Sequence, residues 1–301
     1  MERRIRAIVI TLCVALLLLV TPWTFASAAP GGAPVASPST DPCAAQLQAA
    51  NDLENRISAH NGQPHTFTLP DQQAAYDAYN SEAAQLNGEK NTAVANLQSC
   101  GDLVKKLLNN GSVKPPTQDQ INRIQQGVDS VPSGFAAPAT PPKSAGQVTV
   151  VPQLTQLYRA LRSGNPGTTQ SIGNVPFQGK GWPSVGSPNP AYPIGSGKLI
   201  QAGRFGNPAI SADHIVPLAE ILYLPGFLKL PPALMYQVVR APVNLQWLST
   251  PENIAKSSGT AARISGADPQ WVNQQLNLQN SARDQLTDLI KQLLGTLGSQ
   301  P

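Results

Sequence analysis

Ile210-Ser211-Ala212-Asp213-His214-Ile215-Val216-Pro217-Leu218 sets an Asp-His pair among apolar residues. Burying two such polar groups is costly unless each is given a partner and a task. Further along, Ala241-Pro242-Val243-Asn244-Leu245-Gln246-Trp247-Leu248 forms a second strand-like run, followed directly by Ser249-Thr250-Pro251-Glu252-Asn253-Ile254-Ala255-Lys256-Ser257. Thr250 suits a helix N-cap and Pro251 a first helical position. The expected order is strand, long connection, strand, tight turn, helix. Asp213 and His214 fall on the first strand and Asn253 in the first turn of the helix.

Beyond this stretch, Asp268-Pro269 is expected to cap a long amphipathic segment carrying Trp271, Leu276, Leu286, Leu289, Ile290 and Leu293, read as core packing around the small strand-strand-helix unit. On the other side, Ser163 to Gly197 is rich in Gly and Pro, yet Phe177, Trp182 and Tyr192 imply that it packs. Further upstream, Pro132, Pro138, Pro141, Pro142 and Pro152 interrupt any regular element, so residues 131–152 read as an interdomain linker.

The N-terminal part is helical in character. Leu47, Ala50 and Ile57 share a face in the segment 41–60. In the segment 71–100, Tyr76, Tyr79, Ala83, Leu86, Ala93 and Leu97 recur at the period of a buried helical stripe. Asn61-Gly62-Gln63-Pro64 marks a turn between them. His60 and His65 sit beside this turn without acidic or cysteine neighbours at ligand spacing, and are expected on the surface. Shorter helical pieces follow at 103–108 and 118–128.

The first residues have the form of a secretory signal: Arg3, Arg4 and Arg6, an apolar run from Ile8 to Val20, then Ala26-Ser27-Ala28. The apolar run is too short for a spanning helix, which needs about 20 residues. Cleavage after Ala28 is expected, giving an extracellular chain without stable membrane insertion. Cys13 would leave with the signal, and the remaining Cys43 and Cys100 read as one disulfide in an oxidising compartment. An antiparallel hairpin brings the start of its first helix beside the end of its second, where these two cysteines stand. Closing a loop of this length adds about 3 to 4 kcal/mol.

Asp213-His214-Ile215-Val216-Pro217-Leu218, then Asn244-Leu245-Gln246 with Leu248, then Asn253 with Lys256-Ser257, resembles the HNH endonuclease superfamily, whose ββα-metal fold is shared with colicin-type DNases. The match covers residues 211–257. Together with the readings above, this gives an α+β chain with a signal peptide (1–28), a disulfide-tied helical domain (41–130), the Pro-rich linker (131–152) and, from the resemblance, an HNH-like nuclease domain ending in a long helix (153–301). The resemblance implies His214 as general base, Asn244 as the residue that fixes the histidine's loop, and Asp213 and Asn253 as metal ligands. Oxygen and amide donors favour Mg2+, with Mn2+ or Ca2+ next. Many members have His where this chain has Asn253, and the cysteine pairs of a structural zinc knuckle are missing.

The net charge of +4 says little about partners, because the signal carries off part of it; the stretch from Lys180 to Arg263, however, is locally basic. Lys and Arg contacts to phosphate supply most sequence-independent affinity for nucleic acid. Lys256, Arg240 and Arg204 are the expected contacts. The expectation is a secreted metal-dependent endonuclease acting on DNA or RNA, as a toxin or a scavenging enzyme, with the helical domain meeting an inhibitor or delivery partner. The alternative is a non-catalytic secreted or cell-surface interaction protein on a degenerate nuclease fold. Neither His-Glu-x-x-His nor Gly-x-Ser-x-Gly occurs, so the corresponding metalloprotease and serine hydrolase readings have no support.

Overall fold

The computed structural model describes residues 38–107, 115–163 and 183–298. The expected signal peptide, the end of the 103–108 helical piece, Phe177, Lys180 and Trp182 lie outside them. Helices α1 (Ala44–Asn61) and α2 (Gln73–Leu107) form the hairpin. Cys43 and Cys100 are disulfide-bonded with a Cα–Cα distance of 6.0 Å. Leu53, Leu86 and both cysteines are buried along the hairpin's inner face. The helix α2 continues through the piece expected as separate, because Gly101 alone costs only about 1 kcal/mol in a helix interior and no proline follows before Leu107.

His60 is not on the surface: it is 4 % exposed, stacked on Tyr79 at 4.1 Å, with Nδ1 at 2.9 Å from Glu82. Position on the helix explains this correction. His60 shares the buried face of α1 with Leu53, whereas His65 beyond the turn is exposed.

Helix α3 (Gln118–Asp129) starts with a capping box in which Thr117 and Gln120 satisfy each other's backbone N–H. It packs on α4 (Thr155–Arg162) so closely that a Cβ at Gly127 would stand 2.6 Å from Leu157 Cα. Between them runs a two-residue hairpin, β1 (Lys143–Ser144) with β2 (Gln147–Val148), closed by Ala145 and Gly146, both at positive φ.

Residues 131–152 are therefore part of the folded body and not a linker. Val148 is buried, Val131, Phe135 and Val151 pack on the core, and the Tyr223 hydroxyl accepts from Val151 N and donates to Thr149 O. Prolines remove backbone donors but leave neighbouring apolar side chains able to bury. The boundary between a helical and a C-terminal domain does not appear either. A single apolar core includes Ile124 of α3, Leu157 of α4 and Leu293 of the last helix, and the described residues form one compact unit.

Strand β3 (Ile210–His214) pairs antiparallel with β4 (Leu245–Ser249), which leads straight into α7 (Thr250–Lys256). The long connection between the strands holds α5 (Leu218–Ile221) and α6 (Pro232–Val238) and is buried almost throughout. Phe227, Leu234 and Met235 are fully enclosed, each contributing roughly 1.5 to 3 kcal/mol by leaving water. The long helix α8 (Pro269–Gly298) buries Ala282, Leu286, Ile290 and Leu293 in the same core. Its N-terminus is capped by Asp268, whose carboxylate accepts from Gln270 N and Trp271 N. Arg283 and Gln279 of α8 both donate to Glu220 of α5. The described residues are thus mainly helical with two small antiparallel sheets. Among the described residues no helix is long and apolar enough to cross a membrane.

Candidate functional site

The β3–β4 register sets Asp213 opposite Gln246 and His214 opposite Leu245. Where β3 ends, Asn244 closes the structure. Fully buried, it accepts from Val216 N at 2.7 Å and donates to Val216 O at 3.0 Å, so its amide pairs with that peptide on both sides. Its own carbonyl accepts from Ile215 N at 2.9 Å. These three bonds hold the chain immediately after His214 against the start of β4. The histidine ring is aimed by a further contact, Nε2–H donating to Val239 O at 2.9 Å. A neutral ring in this tautomer carries its lone pair on Nδ1.

Burial pushes the His214 pKa down to about 4 from 6.5, against the opposing pull of the Val239 carbonyl and Asp213. Folding thus excludes a proton that the unfolded chain binds. The resulting stability is complete above about pH 6.5 and is lost as pH falls toward 4. Urea unfolding at pH 7 and pH 4.5, for the protein and for His214→Gln, is expected to show an acid loss of order 2 kcal/mol in the former that the variant lacks. Equal losses would contradict the assignment.

Asp213, 2 % exposed, has both oxygens engaged: Oδ1 accepts from Lys256 Nζ at 2.9 Å and Oδ2 from Gln246 Nε2 at 2.9 Å. Lys256 is equally buried and also donates to His214 O at 2.6 Å. The divalent ion implied by the resemblance does not fit this arrangement. An ammonium already holds the cation position on the carboxylate, and Gln246 occupies its other oxygen. Asn253 is half-buried in α7, with Nδ2 donating to Ser211 Oγ at 2.9 Å and Ala212 O at 3.1 Å, which ties the helix to β3. Among the described residues no group of three His, Cys, Asp or Glu side chains is placed to hold a metal ion.

The expected phosphate contacts are distributed differently from expectation. Lys256 is turned inward to Asp213. Arg240 is 3 % exposed, lies over the Tyr236 ring at 3.6 Å, and has its pKa pushed down to about 10 by burial. Neither cation faces solvent, because the apolar connection closes over one and β3 over the other. Arg204 is exposed, 4.9 Å from the ring of Phe205, itself 84 % exposed. The helix cap also shifts by one residue: Ser249 is the N-cap of α7, and Thr250 N donates to Ala209 O at 2.8 Å.

Sequence reasoning missed Gln246 and the Val239 carbonyl. Gln246 had a signal in its cross-strand position relative to Asp213. Val239 had none, since its carbonyl reaches the histidine only through the folding of the connection. No protein-family model, curated protein or solved structure matches the chain.

Proposed function

We propose that this chain is an exported nuclease that hydrolyses phosphodiester bonds of DNA or RNA at His214. The observation that carries the reading is the fixed histidine at the end of β3, its Nε2–H committed to Val239 and the chain directly after it clasped by Asn244. A water molecule gives up its proton to the imidazole and attacks phosphorus. The P–O3′ bond breaks and the leaving O3′ takes up a proton from solvent, giving a 5′-phosphate and a 3′-hydroxyl. With a pKa of about 4 the ring is unprotonated throughout the neutral range, and correspondingly a weaker base than an ordinary imidazole. Arg204 and Lys198, both exposed, supply phosphate contacts. Export is supported by the signal-like leader and by the Cys43–Cys100 disulfide.

One observation favours the non-catalytic reading, an interaction protein on a disused nuclease scaffold: Lys256 neutralises Asp213. Supercoiled plasmid and structured RNA, incubated with the purified chain in Mg2+, Mn2+, Ca2+, Zn2+ or EDTA, separate the two. Cleavage by the protein and none by His214→Ala is the expected result. Inert protein under every condition, with the fold intact, would overturn the nuclease reading. The EDTA lane reports whether an ion takes any part.

A further inference from the structure

A second polar site lies at the other end of the β3–β4 pair. The loop running from Asn189 to Gln201 and the first turn of α7 enclose a cavity of about 460 Å³, bordered by Tyr192, Lys198, Leu199, Pro251 and Glu252. Its size suits one nucleoside. Glu252 is 6 % exposed. Its Oε1 accepts from the Tyr192 hydroxyl at 2.8 Å, and its Oε2 has no hydrogen-bond partner among the described residues. Leaving a buried carboxylate oxygen unmet is expensive, so such an atom marks a place where a donor is to arrive.

The surrounding groups do not fill that need. Tyr192 has committed its proton to Oε1. Asn189 donates to Ser249 Oγ at 3.3 Å, and Gln201 donates to Leu199 O at 3.0 Å. Lys198 is exposed, with Nζ 5.5 Å from the centre of the Tyr192 ring. The site therefore presents a buried acceptor, walls that are part apolar (Leu199, Pro251) and part polar with the one aromatic ring of Tyr192, and a cation at its mouth. A ligand matching all three has N–H donors at one end, a flat apolar body and an anionic group at the other. That is a nucleotide, and guanine offers two adjacent donors, N1–H and N2–H, to one carboxylate.

We infer that this cavity, with Glu252 as acceptor and Lys198 as phosphate contact, is a guanine-nucleotide subsite. Its use in selecting where a nucleic acid is cut rests on the nuclease reading; nucleotide binding itself does not. Isothermal titration of the full mature chain carrying His214→Ala with guanosine 5′-monophosphate, uridine 5′-monophosphate and guanosine tests the binding without cleavage. Guanosine monophosphate is expected to bind about tenfold or more tightly than uridine monophosphate, which turns carbonyl oxygens toward the carboxylate. Glu252→Gln is expected to erase that preference, checked by near-ultraviolet dichroism for an intact fold. Lys198→Ala, at an exposed position that leaves folding alone, should weaken the monophosphate and leave guanosine unchanged.

Equal binding of the two monophosphates, no binding at millimolar concentration, or insensitivity of guanosine monophosphate to Lys198→Ala would overturn the subsite. Binding without cleavage by the unsubstituted chain would remove the nuclease reading and keep the site. Cleavage without binding would do the reverse.

Discussion

Replacing Lys256 by methionine is expected to destabilise the protein by about 3 to 5 kcal/mol, because it removes the only cation that offsets Asp213 among the described residues and leaves a buried carboxylate uncompensated. Methionine keeps the volume and apolar stem of lysine, so the loss reports the charge and not a cavity. The His214 carbonyl loses a donor in the same substitution. Removing both charges at once is a different matter. In Asp213→Asn with Lys256→Met, the asparagine still accepts from Gln246 and no ion remains unpaired, so most of the lost stability is expected to return. Urea unfolding of the four members of this double-mutant cycle measures the coupling. A single variant within about 1 kcal/mol of the parent would mean that water reaches Asp213 and that its burial is not what holds Lys256.

The same pair determines how the chain responds to divalent ions. With Lys256 present, Mg2+ at millimolar concentration is expected to leave the unfolding midpoint unchanged, since the ion would have to displace the buried ammonium from Asp213. In Lys256→Met the carboxylate is exposed to competition, and an ion that binds only the folded state raises stability as its concentration exceeds the dissociation constant. A midpoint that rises equally in both proteins would show that Lys256 yields to the ion.

Short-range features of this site were legible in the sequence. Pro251 after a strand-like run placed α7, the apolar residues flanking Asp213 and His214 placed β3, and the turn between two helical stripes set Cys43 beside Cys100. The α+β character followed from them. The partners of buried charges were not legible. Lys256 reaches Asp213 across 43 residues of sequence, and nothing in local spacing distinguishes a lysine that turns inward from one that meets phosphate. The β3–β4 connection was opaque for another reason. Its helices are buried on nearly every side, so they show no polar face and no period by which to identify them. The proline-rich stretch 131–152 misled for the converse reason: its composition reports missing backbone donors, while its packing is decided by Val131, Phe135 and Val148.

Asn244→Ala is the second substitution expected to have a large effect, near 3 kcal/mol, because it strips both partners from the buried Val216 peptide and leaves an N–H and a carbonyl unmet. Loss of the clasp also frees the chain directly after His214, so any His214-dependent cleavage should fall further than the loss of folded protein accounts for. Asn244→Asp separates the two halves of the clasp. Aspartate still accepts from Val216 N, but its ionised form cannot donate to Val216 O and places negative charge against that carbonyl. Burial and this repulsion both favour the protonated acid in the folded state, raising its pKa above the unfolded value. A group raised on folding contributes stability that is present at low pH and lost as pH rises. Relative to the parent at each pH, Asn244→Asp is therefore expected to be weakest near neutrality and to recover toward pH 4, as its carboxyl regains a proton to donate. Parallel curves for the two proteins between pH 4 and 7 would show that the Asn244 side chain does not bridge the Val216 peptide.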